Sequence, residues 1–233
     1  MKASEMTACL TARDAYELWS ATWDEDPSPI VALESRCMAP WLEGFHGGLV
    51  VDAACGTGRW TQYLRARGVR VCGLDLSLAM LGRARSRPGL AGSLAAADLA
   101  ALPLASGCAD AVLCALALGH VPDPPAALSE LCRLVRPGGF LLLDDFHPDG
   151  HRRGWRRTFH HEGTTFEVRN YSYTVDGLAD AGRQAGMILE AVAEPGFGEA
   201  ERDIFVRAGK ADLFDQVREI PAVLLMRWRR PCT

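Results

Sequence analysis

The sequence of 233 residues lacks several features that would define its class at once. Its longest apolar run, from Ala111 to Gly119, has nine residues, well short of the roughly 20 that a membrane-spanning helix needs. The N-terminus carries charges at Lys2, Glu5 and Arg13 and has no unbroken apolar segment of the signal-peptide kind. These absences predict a cytoplasmic protein with no membrane partner.

The chain also lacks an excess of basic residues and any close pair of cysteines. With 25 basic and 29 acidic side chains, its formal net charge is −4, which disfavours a protein that holds long nucleic acid by charge. None of the eight cysteines forms a Cys-x-x-Cys pair, so no zinc site is indicated and no metal is expected. Most lie within apolar runs, where a reduced thiol behaves as a small hydrophobic side chain.

The remaining composition is that of one globular domain, with 48% hydrophobic and 23% charged residues. From about residue 48 to residue 148, apolar strands alternate with single helices, which is typical of a parallel sheet covered on both faces. We therefore expect a single α/β domain over residues 1–233, with a helical cap over 1–46, a core over 47–148 and lid segments over 149–175 and 196–220.

Local signals set the ends of several elements. Ser28 and Ser77 are predicted helix N-caps, because their side chains can accept hydrogen bonds from free backbone N–H groups. The segment Asp123-Pro124-Pro125 is predicted to open another helix. A hairpin is predicted around the turn Glu162-Gly163, between strands at 158–161 and 164–168. The second lid segment is followed by a last predicted strand at 222–229.

The most informative segment runs from Val50 to Gly58 and reads VVDAACGTG. A strand ends at Asp52, the chain turns through small residues and a helix follows. Gly56 and Gly58 carry no side chain, so backbone N–H groups and the helix N-terminus can approach a ligand. Thr61 replaces the third glycine of the dinucleotide-binding pattern. The Asp52 carboxylate would repel a pyrophosphate and attract an ammonium group.

Two further acids follow at strand ends. Asp75 ends the second predicted strand, where a carboxylate can accept hydrogen bonds from both hydroxyls of a ribose. Asp98 ends the third, within reach of an adenine edge. With Asp52, these acids define one cleft beyond the carboxyl edge of the sheet. The pattern favours S-adenosylmethionine over a dinucleotide.

These motifs, in this order, resemble the class I S-adenosylmethionine-dependent methyltransferases that act on small molecules. Residues 52–58 are similar to the family's glycine-rich first motif, 73–77 to its ribose-binding second and 97–104 to its adenine-binding third. Residues 109–115 resemble its fourth strand and 134–139 the turn before its fifth. The resemblance implies a Rossmann-like, seven-stranded, mostly parallel sheet with helices on both faces, a small lid and an antiparallel last strand.

The resemblance also implies a cofactor-binding set. Gly56 and Gly58 would contact the methionine portion and Asp75 the ribose, while Leu76 and Met80 would enclose the adenine. An upstream aromatic segment resembles one that closes over the cofactor, although its tryptophans could equally be helix-packing residues. The full set expected to bind S-adenosylmethionine is Tyr16, Trp23, Arg36, Asp52, Ala54, Gly56, Gly58, Asp75, Leu76, Met80, Asp98, Leu99 and Ala115.

Two histidines are candidate general bases. His120 follows the fourth predicted strand and His147 follows the fifth, and a histidine can take a proton from a hydroxyl or amine at neutral pH. The alternative is that each only positions a loop or the cofactor. A carbanion or thiolate acceptor would need no protein base, because proximity to an activated methyl group would supply most of the catalysis.

The predicted lid carries the candidate acceptor-binding residues. A basic cluster from His151 to Arg157 could clamp a carboxylate or phosphate, dock a carrier protein or remain a solvated loop. The residues expected to shape the acceptor pocket are His151, Arg156, His160, His161, Tyr171 and Tyr173.

The expected function is methyl transfer to an O, N, C or S atom of a small organic acceptor. Family analogy alone suggests secondary or cofactor metabolism and a quinone-like acceptor. The segment Leu118 to Asp123 does not match the motif of amino-directed nucleic-acid methyltransferases, so no nucleic-acid partner is expected. Three alternatives stay open: a cofactor-bound enzyme for another reaction such as cyclisation, a non-catalytic nucleoside-binding subunit, and the disfavoured NAD-dependent oxidoreductase. A homodimer is also open.

Overall fold

A computed structural model of the protein describes residues 8–25, 27–171 and 173–232. The predicted helical cap begins at residue 1, and its first seven residues and Asp26 lie outside the described residues. The main sheet has seven strands, in the spatial order β4 (Leu94–Ala96), β3 (Arg70–Asp75), β2 (Leu49–Ala53), β5 (Ala109–Ala115), β6 (Val135–Phe146), β10 (Val223–Arg229) and β9 (Ile188–Ala193).

The sheet direction follows the sequence pattern. Strands β2 to β6 pair in parallel, and β10 lies antiparallel between β6 and β9. The expected Rossmann-like fold with an antiparallel last strand is confirmed. The helices are α1 (Ala12–Trp19), α2 (Pro29–Leu42), α3 (Arg59–Arg65), α4 (Leu78–Arg85), α5 (Pro124–Leu134), α6 (Pro148–Arg152), α7 (Val175–Gln184), α8 (Glu199–Arg207) and α9 (Ala211–Val217).

Helices cover both faces of the sheet. On one face, Leu128 and Leu131 of α5 and Leu178 of α7 belong to a buried cluster that includes strand residues. On the other face, the buried cluster includes Leu33 of α2 and Phe214 of α9. Because both faces are covered, the central strands are apolar nearly throughout, as a buried parallel sheet requires.

The predicted N-caps Ser28 and Ser77 are confirmed, and Asp123 caps the helix that its segment is predicted to open. The side chains of Ser28, Ser77 and Asp123 accept hydrogen bonds from the N–H groups of Val31, Met80 and Ala126, at 3.4, 3.1 and 3.1 Å. Each cap satisfies a backbone donor that has no partner inside its helix. The starts of α2, α4 and α5 are thereby fixed by a single local residue.

Two strand boundaries show how the apolar runs differ from the strands themselves. The continuous apolar run predicts a strand over Ala111 to Leu118, but β5 ends at Ala115 and a 3₁₀ turn covers Leu118 to His120. The next apolar run predicts a strand over Phe140 to Leu143, but β6 spans Val135–Phe146, and Val135 already pairs with Ala109 before an irregularity in the register. Both differences lie where the chain leaves or enters the sheet.

A second, three-stranded sheet flanks the core. The predicted hairpin is confirmed as β7 (Thr158–His161) and β8 (Thr164–Val168), and β1 (Ala8–Leu10) adds to β8 in parallel. The sequence did not predict β1. This sheet packs on α1, where the rings of Trp19 and Phe159 stack with centroids 4.8 Å apart. The second predicted lid segment instead forms α8 and α9, and α8 packs on α2.

Two further observations concern the residues that the structure describes. Within them, no helix has the length and apolarity to cross a bilayer. The eight cysteines are free thiols, of which Cys55, Cys114 and Cys132 are buried while Cys9 and Cys232 are exposed.

Candidate cofactor site

A cavity of about 220 Å³ lies beyond the carboxyl ends of β2, β3, β4 and β5. Helix α1 and the turn that follows it supply part of its wall. Eleven of the thirteen predicted cofactor-binding residues line it: Tyr16, Trp23, Asp52, Ala54, Gly56, Asp75, Leu76, Met80, Asp98, Leu99 and Ala115.

The loop after β2 forms one wall of the cavity. Ala54, Gly56 and Gly58 all have positive φ angles, of 63°, 56° and 81°. A Cβ atom on Gly56 would meet no heavy atom within 4 Å, so its backbone faces open space in the cavity wall. Gly58 differs, because a Cβ there would lie 2.8 Å from Leu90. Gly58 begins α3 and allows close packing, and it does not line the cavity.

Asp75 braces this loop from the neighbouring strand. Its two carboxylate oxygens accept hydrogen bonds from the N–H groups of Gly56 and Ser77, at 2.7 and 2.8 Å. Burial raises the pKa of Asp75, and the backbone hydrogen bonds oppose that rise. A carboxylate oxygen has two lone pairs, so each retains capacity to accept a ligand hydroxyl.

Asp52 places a second carboxyl group at the root of the loop. It is buried and accepts a hydrogen bond from the hydroxyl of Thr61 at 2.6 Å. Burial raises the pKa of Asp52 to about 6, against opposing contributions from Thr61 and the positive charge of Arg59. A ligand cation would stabilise the ionised form at this position.

The other end of the cavity is largely apolar. Leu76, Met80, Leu99 and Leu102 line it together with Asp98. One carboxylate oxygen of Asp98 accepts a hydrogen bond from the N–H of Ala100 at 2.9 Å. This end therefore offers a flat ligand apolar faces and one polar edge.

The N-terminal segment is attached to the rest of the cavity wall at two points. Glu17 of α1 accepts hydrogen bonds from the hydroxyl of Ser77 and the N–H of Leu78, at 2.9 and 2.8 Å. Asp24, in the turn after α1, accepts a hydrogen bond from the hydroxyl of Thr57 at 2.8 Å and pairs with Arg87 at 3.0 Å. These contacts join α1 and its turn to the loop after β2 and to the start of α4.

A buried polar cluster stands where β5 leaves the sheet. His120 lines the cavity, its Nε2 lies 3.0 Å from the hydroxyl of Tyr16 and Arg157 donates to the same nitrogen. The Nδ1 atom lies 3.0 Å from the carbonyl oxygen of Arg169. A carbonyl can only accept, so we assign the proton to Nδ1 and the lone pair to Nε2. Burial, with the charge of Arg157, lowers the pKa of His120 to about 3.

Comparisons with known proteins agree with this geometry. Residues 51–143 match the family model described as a methyltransferase domain. The structure of an S-adenosylmethionine-dependent methyltransferase from Mesorhizobium loti, 25% identical, superposes with a TM-score of 0.69 over 87% of this chain and 100% of that chain. This chain carries a class I S-adenosylmethionine-dependent methyltransferase domain.

Curated relatives match the methyltransferase domain over part of their length. A malonyl-acyl-carrier-protein O-methyltransferase of Pectobacterium atrosepticum is 40% identical over 116 residues, which is 48% of this chain and 46% of the relative. A demethylmenaquinone methyltransferase of Thermobifida fusca is 32% identical over 147 residues, 59% of this chain and 61% of the relative. The alignments thus span about half the length of these relatives.

S-adenosylmethionine is the cofactor of this domain, and the residues present fit its parts. The buried Asp52 carboxyl group suits the ammonium of the methionine portion, and the open backbone at Gly56 suits its close approach. The free lone pairs of Asp75 suit the ribose hydroxyls. The apolar end at Leu76 and Met80 suits the adenine ring.

Three residues predicted to be cofactor-binding or catalytic lie outside the cavity lining, and each has another role. Gly58 packs against Leu90, as described above. Arg36 pairs with the buried Glu201 of α8 at 2.9 Å, which joins α2 to α8. His147 caps α6 through the N–H of Asp149 at 3.1 Å, and its Nε2 lies 3.2 Å from a carboxylate oxygen of Glu194.

The expected acceptor-binding residues are also absent from this lining. The hairpin packs on α1, so His160 and His161 are carried with it, and His160 contacts the hydroxyl of Thr165 at 2.9 Å. Tyr173 donates from its hydroxyl to the carbonyl of Phe146 at 3.1 Å, as part of the core. The remaining positions, His151, Arg156 and Tyr171, lie outside the lining too.

Arg157 is the residue that the sequence reading missed. The sequence places it in a basic cluster that could clamp an anion, dock a carrier protein or remain a solvated loop, but Arg157 is buried and donates to Tyr16 and His120 and to the carbonyl of Leu116. A signal was present in the sequence. Arg157 stands two residues before Phe159, and side chains two apart in an extended segment share a face.

Proposed function

We propose that this chain transfers a methyl group from S-adenosylmethionine to a small organic acceptor. The observation that carries the proposal is the three acids at consecutive strand ends around one cavity, in a domain that matches the methyltransferase model. The bound cofactor supplies an electrophilic methyl group on a sulfonium centre. The protein's part is to hold both reactants in line and to exclude water.

Each residue of the cavity contributes to binding and orientation. Asp52 holds the ammonium, Asp75 holds the ribose, and the loop at Gly56 fixes the distance between them. Tyr16 and Trp23 cover the cavity from the N-terminal segment, which keeps solvent from the reacting atoms.

The atom of the acceptor that attacks the methyl group must be nucleophilic without His120 acting as a base. A histidine with a pKa of about 3 is neutral at physiological pH, and its Nε2 lone pair is already engaged by Arg157. This geometry argues against the expected role of His120 as a general base. It favours an acceptor atom that is anionic beforehand, such as a carboxylate oxygen or a stabilised carbanion.

The named relatives suggest which acceptors to test first. A malonyl thioester presents a carboxylate oxygen, and the ionised hydroquinone form of a demethylated quinone presents a nucleophilic ring carbon. Assignment to secondary metabolism, a cytoplasmic location, a homodimer and the division into core, cap and lid all remain proposals from the sequence.

The test is incubation of the purified chain with S-adenosylmethionine and each acceptor, with mass spectrometry of both products. Methylated acceptor and S-adenosylhomocysteine in equal amounts support the proposal. Cofactor binding without a methylated product from any acceptor favours a cofactor-bound enzyme of another reaction. Absence of cofactor binding favours a non-catalytic nucleoside-binding subunit or an unrelated function.

A further inference from the structure

A second cavity, of about 410 Å³, lies between the end of β6, helix α8 and helix α9. Its walls are dominated by apolar side chains. The rings of Trp155 and Phe197 are 6.2 Å apart, and Phe205 meets Phe197 edge-on at 5.1 Å. Ile204 and Leu213 complete the aliphatic part of the wall. Neither the cofactor nor the residues discussed above account for this space.

Charge at the cavity is of one sign. Arg156 and Lys210 are the charged residues among its lining, with no acidic side chain in the part of the wall that the structure describes. Lys210 has no ion-pair partner within the described ranges, whereas Arg156 forms an ion pair with Glu167 at 3.5 Å and donates to the carbonyls of His151 and Trp155. Lys210 therefore supplies the uncompensated positive charge at this apolar cavity, and such a cavity is complementary to a hydrocarbon chain with an anionic head.

One buried side chain, that of Arg157, contacts residues that line the two cavities. Phe146 lines the second cavity, and the guanidinium of Arg157 lies over its ring at 4.3 Å from the ring centroid. The same guanidinium donates to Tyr16 and His120, which line the first cavity. Arg157 therefore contacts lining residues of both cavities while lining neither of them.

We propose that the second cavity binds the saturated acyl chain of an anionic amphiphile, with its carboxylate at Lys210. The chain lies among the rings of Trp155, Phe197 and Phe205. That this amphiphile is part of the methyl acceptor rests on the proposed function. The binding site itself does not, because it requires neither the cofactor nor methyl transfer.

Calorimetric titration of the full chain with octanoate, decanoate and dodecanoate, below their micelle concentrations and without cofactor, tests the proposal. Each pair of added methylenes is expected to tighten binding about 15-fold, from about fourfold per methylene, until the cavity is filled. Wild type that binds none of the three at millimolar concentration overturns the proposal.

Two variants of helix α8 distinguish binding in the cavity from binding to the surface around it. Ile204→Trp places a large ring in the cavity and is expected to weaken decanoate binding at least tenfold. Val206→Trp adds the same ring to an exposed position of α8, where the wild-type side chain is 51% exposed, and is expected to bind decanoate as wild type does. Equal loss in both variants would contradict the assignment.

A second pair of variants tests whether the carboxylate of the ligand lies at Lys210. Lys210→Glu is expected to weaken decanoate about tenfold and to leave neutral decanol unaffected, while Arg207→Glu, also exposed and nearby in sequence, changes neither. Equal decanoate affinity in Lys210→Glu and wild type would overturn it.

Cofactor affinity and sedimentation of the same proteins distinguish a fatty-acid site from the alternatives. Unchanged S-adenosylmethionine affinity in Ile204→Trp shows that the variant is folded. If wild type does not bind S-adenosylmethionine, the proposed function is wrong, but decanoate binding would still support the second site. If sedimentation shows a wild-type dimer that Ile204→Trp dissociates, and decanoate does not bind, the cavity belongs to a second copy and the inference fails.

Discussion

At the scale of single residues, the site is defined by carboxyl groups in unlike surroundings. Asp52 is buried beside a hydroxyl donor and its pKa rises to about 6, whereas Asp75 is held by two backbone N–H groups. The sequence predicted both positions from strand ends alone. It could not predict the pKa of either group, because burial and partners come from the folded neighbours.

The raised pKa of Asp52 predicts a pH dependence of cofactor binding. An ammonium ligand favours the ionised carboxylate, so a proton must leave Asp52 on binding below its pKa. The affinity for S-adenosylmethionine is expected to fall about tenfold between pH 7 and pH 5. Calorimetry over that range is the measurement. Asp52→Asn should bind more weakly at pH 7 and lose most of this slope, and a variant with the wild-type slope would assign the titration to another group.

His120 gives a second prediction at this scale. Gln at position 120 can place an acceptor oxygen near the site of Nε2, so His120→Gln preserves an acceptor for Arg157. We expect kcat to fall less than about tenfold, because a neutral, engaged imidazole is not the base; removal of a true general base costs on the order of 10²–10⁴-fold. The pH profile of kcat is the check. A loss of 10³-fold, together with loss of a titration step, would restore His120 as the base.

At the scale of elements, α1 and the turn after it cover the cofactor cavity and are held in place by side-chain hydrogen bonds. Glu17 caps the N-terminus of α4, and Asp24 is bonded to Thr57 and Arg87. The sequence indicated an aromatic cover through Tyr16 and Trp23. The fastening acids were not recognised, because their partners are more than 30 residues away along the chain.

The contacts of Asp24 predict that removing its side chain weakens cofactor binding. Asp24→Ala releases the turn from the loop after β2 and is expected to weaken S-adenosylmethionine binding about tenfold, the effect of losing one or two hydrogen bonds to a charged group. Asp180→Ala is the matched control, since Asp180 also forms an exposed ion pair, with Arg183 on α7. Equal affinities in the two variants, measured by calorimetry, would show that the turn does not cover the bound cofactor.

At the scale of the whole molecule, the alternation of apolar strands and helices predicted the sheet, its direction and the cleft at its carboxyl edge. These features follow from periodicity and from short-range caps such as Ser77 and Asp123. The lid was harder to predict. The hairpin was recognised from its turn, yet its packing on α1 and its pairing with β1 depend on contacts such as Trp19 with Phe159, 140 residues apart.

If the cavity binds S-adenosylmethionine through its strand-end acids, removing the charge of one of them must weaken binding, and one titration measures this. Calorimetry with S-adenosylmethionine at pH 7 compares wild type with Asp75→Asn, and with Asp203→Asn, an exposed acid of α8, as control. We expect micromolar binding by wild type and control, and roughly 10- to 100-fold weaker binding by a folded Asp75→Asn variant, because charge-assisted hydrogen bonds are lost. No binding by wild type, or equal binding by all three, would contradict it.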